Sequence, residues 1–238
     1  DLPHGQRRSA ERPRARLAAA GEPEGSVVVA EGQGQGRGRL GRTWASPKGK
    51  GIYLSVILRP PLQLSQAAHV TLASAVSVAQ AIQKATDLKP QIKWPNDVLL
   101  EGKKVAGILT ELNAELNRVN YLVVGIGINV QGSKAQLPAY STSLAEELGH
   151  RVDRVGLART LLAQMDQTYA EFLSRGLEPI LERWSSFADF LGRRIRVALA
   201  RGTVDGQAMD IDPTGSLLVR TDAGFVEAVS AGDVLIVR

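Results

Sequence analysis

The sequence predicts an α+β protein in which a mixed β-sheet is backed by helices and is followed by a small β-barrel. Strand-like apolar runs recur between residues 26 and 130, and one long amphipathic helix interrupts them. Two more helical segments follow between residues 154 and 190. After Gly192 the pattern changes to five short strands separated by Gly and Asp turns. We therefore place one domain over residues 1–190 and a barrel over residues 191–238.

Each element before the barrel has a local signal. The first strand, residues 26–31, follows a turn that reads GEPEG, and the second, residues 52–58, ends at a Pro-Pro pair. Residues 65–86 carry apolar side chains at three- and four-residue steps, which predicts an amphipathic helix that packs on the sheet. The two later helical segments, residues 154–173 and 177–190, show the same spacing and predict core contact.

The composition is that of a globular protein, since 44% of the 238 residues are hydrophobic. The chain has no cysteine, which excludes disulfides, thiolate nucleophiles and zinc–thiolate sites. Its three histidines, His4, His69 and His150, are far apart in sequence, which argues against a histidine metal site. No apolar run is long enough to span a membrane, and the start is not a signal peptide. We expect a soluble, cytoplasmic protein with a trimmed start, because the chain lacks an initiating methionine.

A glycine- and arginine-rich loop, residues 36–51, lies between the first two predicted strands. It reads GRGRLGRTWASPKGKG and places Arg37, Arg39 and Arg42 around Trp44. Glycines let backbone N–H groups approach a ligand, and guanidinium groups match the geometry of phosphate or carboxylate. The loop therefore predicts an anion clamp beside an aromatic plate, suited to a nucleotide or a ring-bearing acid. A solvated basic loop or nucleic-acid-binding tail is the alternative, and the strands on both sides disfavour it.

A second polar motif, KWPND at residues 93–97, opens a predicted hairpin. The chain returns through a Glu-Gly turn to a strand at residues 104–112. The hairpin brings Asp97 and Lys104 towards each other, so that both can belong to one site. A surface salt bridge is the alternative that the spacing alone leaves open.

The next strand, residues 120–130, reads NYLVVGIGINV and follows a polar turn predicted at residues 113–117. Gly125 and Gly127 are unusual in a buried strand, because glycine weakens strands and commonly marks the close approach of a ligand or another backbone. Asn129 follows at the polar end of the strand. These residues extend the predicted site onto a second strand.

Together these motifs resemble biotin protein ligase, from Ser26 to the C-terminus. The specific parts, in the family's order, are GRGRxGRxWxSPxG at residues 36–49, KWPND at 93–97, KxAGIL at 104–109 and GIGIN at 125–129. The ending VSAGDVLIVR resembles the family's C-terminal SH3-like barrel. The resemblance implies a catalytic domain of the class II aminoacyl-tRNA synthetase and biotin ligase type, joined to that barrel. About 25 residues precede the first strand, fewer than a DNA-binding domain requires, so the form resembled is the short one without that domain.

The resemblance implies an ATP-dependent reaction in two steps. The carboxylate of biotin attacks the α-phosphate of ATP and gives biotinyl-5′-AMP and pyrophosphate, and a carrier lysine then takes the biotinyl group as an amide. The implied partner is the biotin carboxyl carrier protein of acetyl-CoA carboxylase or a related carboxylase. Mg²⁺ is expected to bridge the phosphates. A homodimer is compatible with the resemblance, whereas no membrane or DNA partner is expected.

The resemblance also assigns roles to residues of this chain. Arg37 and Arg39 would hold the biotin carboxylate and the phosphates, and Lys104 would bridge the carboxylate and the α-phosphate. Lys93 would meet phosphate, and Asp97 would accept from, or orient, the attacking carrier lysine. The biotin end would be lined by Gln33, Gly36, Gly38, Gly107, Gly125 and Ser9, with Arg37, Arg39 and Lys104. The ATP end would be formed by Arg42, Trp44 stacked on adenine and Asn129, with Arg39 and Lys104, and residues 131–143 would order over the adenylate.

The chain departs from the family's pattern near its start. A Ser-Thr-Asn stretch, whose hydroxyls contact the ureido ring of biotin in the family, aligns here with Ser9, Ala10 and Glu11. Either the start of the chain is altered or truncated, or biotin binding is weakened. Losing the partner of a buried polar group costs about 1–3 kcal/mol.

Three alternatives stay open from the sequence. A lipoate or octanoate ligase or transferase has a related catalytic fold, but the arginine loop disfavours it. The net charge of +5 suggests a basic nucleic-acid-binding module, although much of the excess lies near the N-terminus and in the arginine loop. A catalytically impaired member kept as a binding protein would account for the altered start.

Overall fold

A computed structural model describes residues 11–237, with side chains from residue 15 onwards. The strands, in chain order, are β1 (Val27–Ala30), β2 (Gly36–Arg37), β3 (Thr43–Trp44), β4 (Gly51–Leu58), β5 (Gln91–Lys93), β6 (Asp97–Leu100), β7 (Lys103–Glu115), β8 (Arg118–Asn129), β9 (Arg194–Ala198), β10 (Thr203–Ile211), β11 (Leu217–Thr221), β12 (Val226–Val229) and β13 (Asp233–Ile236). The helices, in chain order, are α1 (Glu11–Ala19), α2 (Ala67–Thr86), α3 (Leu144–Leu148), α4 (Arg154–Arg175) and α5 (Glu178–Phe187). Within these residues every helix is too short or too polar to cross a lipid bilayer.

Six strands form the main sheet, in the order β1-β4-β8-β7-β6-β5, and all the strand pairs described in it are antiparallel. The predicted Glu101-Gly102 turn is confirmed, and both of its residues have positive φ, 48° and 72°. Such turns match the twist of paired strands. The turn predicted at residues 113–117 is shorter than expected. Strand pairing extends to Glu115, and only Leu116 and Asn117, with φ of 49° and 65°, form the turn.

The two faces of the main sheet meet different surroundings, because successive side chains of a strand point to opposite faces. On β8, Ile126 and Ile128 belong to the hydrophobic core that also includes α2, α4 and α5. Gly125 and Gly127 alternate with them and line a cavity on the other face. The predicted α+β arrangement of a sheet backed by helices is confirmed, but the described strand pairs of this sheet are all antiparallel, so the sheet is not mixed as predicted. Helix α1 covers part of this second face at Ile57 and Val123, and the loops converge on the rest of it.

The last five strands form a second antiparallel sheet in the order β12-β11-β10-β9-β13. Alternate residues fill its interior, as expected for a closed or nearly closed sheet. The fully buried ones include Ile195, Val197, Ala208, Leu217, Val219 and Val234. This sheet is consistent with the predicted SH3-like barrel.

The barrel packs on the main sheet and its helices through the turn between β10 and β11. In this turn, the carbonyl of Gly215 accepts a hydrogen bond from Nε1 of the buried Trp94 at 3.2 Å. His69 of α2 lies buried beside the same turn, and its ring meets Phe172 of α4 edge-on at a centroid distance of 6.1 Å. The titratable imidazole of His69 therefore lies at the interface between the barrel and the helices that back the main sheet.

This histidine makes stability depend on pH. Burial lowers the pKa of His69 below its usual 6.5, and the backbone of Thr214 and Pro213 and the carboxylate of Asp212 offset only part of this effect. Below pH 6.5 the unfolded chain therefore binds a proton that the folded protein does not. The stabilisation that comes from His69 is therefore complete above pH 6.5 and is lost as the pH falls below that value. We expect the free energy of unfolding in urea to fall as the pH is lowered below 6.5.

His69→Gln removes this titration and is expected to flatten the pH dependence. The matched variant His150→Gln removes an exposed imidazole instead and tests whether the loss of any histidine changes the pH dependence of stability. An unchanged pH slope in His69→Gln would contradict the prediction.

Candidate active site

The arginine loop is an ordered ribbon on the face of the main sheet opposite α2, α4 and α5. Strands β2 and β3 pair with each other, and the chain reverses through Leu40 and Gly41, which have φ of 55° and 74°. Gly36 belongs to this ribbon and pairs with Trp44, and a Cβ on it would be only 2.4 Å from the carbonyl oxygen of Trp44. Glycine is required at that position by the close contact of the backbone. The loop is therefore a built part of the fold, as its flanking strands predicted.

The cations that were predicted for the site all lie close to carboxylates. Each predicted cation of the site lies within 4 Å of a carboxylate oxygen: Arg37 Nη2–Glu111 Oε1 2.9 Å, Arg39 Nη1–Asp233 Oδ1 3.9 Å, Arg42 Nη2–Asp233 Oδ2 2.5 Å, Lys93 Nζ–Asp97 Oδ2 3.6 Å and Lys104 Nζ–Asp97 Oδ1 2.5 Å. The predicted convergence of Asp97 and Lys104 is confirmed. Five cations thus share three carboxylates, and the excess of two positive charges favours the entry of an anion.

The indole of Trp44 lies against the glycines of β7 and β8. A Cβ on Gly127 would be 2.5 Å from Nε1 of Trp44, and a Cβ on Gly107 would be 3.1 Å from its Cζ3. Lys104 Nζ lies 5.3 Å from the ring centroid, within the range of a cation–π contact. The close approach predicted for the strand glycines therefore occurs at Gly127. The approaching group is the side chain of Trp44, from the arginine loop.

Two cavities meet at Trp44 and Lys104. The first cavity has a volume of about 120 Å³, and its lining includes Gln33, Arg37, Gly38, Arg39, Arg42, Tyr53, Asp97, Gly107 and Gly125. The second cavity has a volume of about 160 Å³ and is lined by Thr43, Trp44, Ala45, Lys104, Asn129, Pro138 and Ser141. Trp44 and Lys104 line both. The ammonium group of Lys104 therefore lies where groups bound in the two cavities would meet.

The far end of the first cavity is polar but uncharged. Ser46 donates a hydrogen bond from Oγ to Oε1 of Gln33 at 2.9 Å. Tyr53 donates from its hydroxyl to the carbonyl of Pro47 at 3.2 Å. Burial raises the pKa of Tyr53 to about 12, so the phenol is neutral at ordinary pH. This end suits a neutral polar ring, whereas the arginine end suits an anion.

The loop of residues 131–143 forms one wall of the second cavity. Residues 140 and 142 bracket Lys104 through its backbone, because Lys104 N donates to Tyr140 O and Thr142 N donates to Lys104 O, both at 2.9 Å. Asn129 holds the same loop by donating from Nδ2 to Thr142 O at 3.0 Å. Asn129 lines the second cavity together with Trp44.

Two described residues of the predicted set, Gly36 and Lys93, line neither cavity. Lys93 approaches the site through Asp97. Ser9 lies outside the described residues, as does Ala10.

Four residues of the site were not in the predicted set. Asn96 is inside the KWPND motif and could have been included on that ground. Tyr53 and Glu111 carry only a period-two signal, which places them on the same face as Gly125 and Gly127. Asp233 lies in the barrel, and no local pattern relates it to the arginine loop.

Family models match both parts of the chain. Residues 11–129 match the biotin/lipoate A/B protein ligase family, and residues 190–237 match the biotin protein ligase C terminal domain. The fold and the paired cavities thus define a protein ligase of the biotin and lipoate class.

Individual relatives narrow the class. The bifunctional ligase/repressor BirA of Bacillus subtilis is 39% identical over 219 residues, which cover 90% of this chain and 67% of BirA. The biotin–acetyl-CoA-carboxylase ligase of Mycobacterium tuberculosis is 35% identical over 233 residues, covering 94% and 84%. The structure of biotin protein ligase from Aquifex aeolicus in complex with biotin and ATP matches with a TM-score of 0.80 and 30% identity, covering 94% of both chains. This chain belongs to the biotin protein ligase family. It spans about two thirds of the length of BirA.

Proposed function

We propose that this chain activates biotin with ATP to give biotinyl-5′-AMP and transfers the biotinyl group to a lysine of a biotin carboxyl carrier protein. The observation that carries this proposal is the position of Lys104 at the junction of the two cavities, one with a neutral polar end and the other with an aromatic wall. Biotin would occupy the first cavity and adenosine the second. The carboxylate and the α-phosphate would then meet at the ammonium group.

The first step needs two anions to be brought together, and the cations of the site reduce the repulsion between them. Arg37 and Arg39 would bind the carboxylate and the phosphates, with Arg42 at the ATP end. Lys104 would bridge the reacting groups and stabilise the charge that develops on the phosphoryl oxygens. Lys93 would contact a phosphate from its place beside Asp97.

The ring systems would be held by the uncharged walls. Gln33, Gly38, Gly107 and Gly125 would line the biotin end, and Gly36 would let β2 and β3 approach each other closely enough to form the ribbon. Trp44 would stack on adenine and Asn129 would hydrogen-bond it. Residues 131–143 would close over the adenylate and exclude water from the reactive anhydride. The contribution of Ser9 to the ureido ring stays a prediction.

In the second step Asp97 would accept a proton from the carrier lysine or orient it. The carboxylate is 2.5 Å from Lys104 Nζ, so it is already beside the place where the acyl phosphate would lie. A lysine amine that enters there would meet the acyl carbon and an acceptor together. Leaving AMP would be stabilised by the same cations.

Mg²⁺ would be carried mainly by the phosphates of ATP. The described residues hold no group of three or more His, Asp or Glu side chains that could bind a metal ion by themselves. Mg²⁺ usually keeps several waters and binds through one or two carboxylates together with phosphates. The isolated carboxylates of this site are compatible with that way of binding. When bound, the ion would neutralise phosphate charge.

The organisation of the protein also follows from this proposal. The domain boundary at residues 190 and 191 is supported by the match of the C-terminal domain, which begins at residue 190. The carrier protein of acetyl-CoA carboxylase or a related carboxylase is the proposed acceptor. A homodimer and a cytoplasmic location stay predictions from the sequence.

The experiment that tests the proposal is exchange of labelled pyrophosphate into ATP, with biotin and lipoate compared as the acid. We expect exchange with biotin and none above background with lipoate, because the C-terminal match and the relatives above are biotin ligases. Exchange driven by lipoate alone would overturn the choice of acid. A folded protein without exchange with either acid would favour the binding-protein alternative.

A further inference from the structure

Asn96 is a buried amide that is bonded at both ends. Only 7% of the surface of Asn96 is exposed to solvent. Oδ1 accepts a hydrogen bond from Nη1 of Arg39 at 3.1 Å, and Nδ2 donates one to the carbonyl of Ile108 at 2.7 Å. A guanidinium can only donate and a carbonyl can only accept, so the chemistry fixes which end of the amide is the oxygen.

Asn96 is held rigidly by β7. Its own carbonyl accepts a hydrogen bond from Ile108 N at 3.0 Å, while its side chain donates to Ile108 O. Two bonds to one residue of a central strand fix both the backbone and the amide of Asn96. The oxygen that faces Arg39 therefore has little freedom to move.

Arg39 is engaged by the protein at one nitrogen. Nη1 donates to Asn96 Oδ1 and to Gly232 O at 3.3 Å, and the nearest carboxylate oxygen, Asp233 Oδ1, is 3.9 Å from the same atom. Because the contacts of Arg39 in the described part of the chain run through Nη1, the edge formed by Nε and Nη2 can face a ligand. That edge has the two parallel N–H donors that a carboxylate or phosphate binds in a bidentate manner.

We propose that Asn96 is a positioning residue for Arg39, which it holds so that the free edge of the guanidinium faces the first cavity. The proposal rests on the proposed function, in which Arg39 binds the reacting anions. An amide suits this task because it fixes the guanidinium without neutralising it. A carboxylate in the same place would compete with the ligand for the charge.

The barrel explains why a neutral anchor is needed. Asp233 lies near both Arg39 and Arg42, and it attracts Arg39 towards the barrel. Without the Asn96 bond, Arg39 would be drawn into a closer ion pair with that carboxylate, which also lines the first cavity, and its charge would be neutralised there instead of meeting an anion. The loss would therefore be felt in ligand binding and adenylation rather than in folding alone.

The test is a double-mutant cycle with Asn96→Ala, Arg39→Ala and the double variant, read by biotin-dependent pyrophosphate exchange and by thermal unfolding. We expect Asn96→Ala to lower kcat/KM for exchange roughly tenfold, the effect of one hydrogen bond to a charged group. In the Arg39→Ala background the same substitution is expected to have little further effect on exchange. The stability change, which arises at Ile108, is expected in both backgrounds. The cycle thus separates positioning from folding.

Asn120→Ala is the matched control, because Asn120 is an exposed amide of the same sheet whose partner is Asn113. Its exchange rate is expected to equal that of the wild type. If Asn96→Ala does not fold, Asn96→Ser takes its place in the cycle, and failure of both to fold would make the amide structural and overturn the proposal. Equal losses from Asn96→Ala with and without Arg39 would also overturn it. No exchange by the wild type would instead reject the proposed function.

Discussion

Lys104→Ala is expected to slow biotinyl-adenylate formation by roughly 10²–10³-fold, the range found when one charge-stabilising donor is removed from an active site. Lys104 is the cation that both cavities share, and its ammonium group lies 2.5 Å from Asp97 and 5.3 Å from the ring centroid of Trp44. Single-turnover formation of the adenylate measures this step without the carrier protein.

The neighbouring lysine provides the control for that substitution. Lys103 is half exposed and pairs with Glu147 at 3.1 Å, away from both cavities. Lys103→Ala removes the same side chain from the same strand and is expected to leave the rate unchanged. Equal rates in the two variants would remove Lys104 from the reaction.

Gly127→Ala is expected to reduce adenylate formation roughly 10²-fold, because small displacements of groups that position a substrate have effects of this order. The added methyl would lie 2.5 to 2.9 Å from three atoms of the Trp44 indole. The backbone of β8 is held by β4 on one side and β7 on the other, so the indole must move. Both cavities then lose a shared wall.

Tryptophan fluorescence can detect that movement. Trp94 and Trp184 are fully buried, so iodide quenching reports mainly on Trp44. We expect quenching to increase in Gly127→Ala and stability to fall by about 1–3 kcal/mol from overpacking. In a Trp44→Ala background the same glycine substitution is expected to cost almost nothing, since its clash partner is gone. A full stability loss in that background would show that the indole is not the group displaced.

Local sequence patterns predicted most of the secondary-structure elements and indicated which motifs carry the candidate site. Apolar periodicity predicted α2, α4 and α5, and the Glu101-Gly102 turn between β6 and β7 was readable from turn chemistry alone. The KWPND and GIGIN motifs lie on strands of one sheet, which the short β6-β7 and β7-β8 hairpins connect. Such features depend on nearby residues, so local patterns contain the information.

The ion pairs of the site and the position of the Trp44 ring depend on tertiary packing. Asp233 reaches Arg42 from a different sheet, and Glu111 reaches Arg37 from the middle of β7. The contact of the Trp44 indole with Gly127 likewise depends on how the ribbon folds back over the sheet. Contacts between residues far apart in sequence arise from the packing of whole layers, and no local pattern encodes them. The sequence thus determined which residues are chemically equipped for ligation, whereas the docking of barrel, ribbon and sheet decided which of them meet.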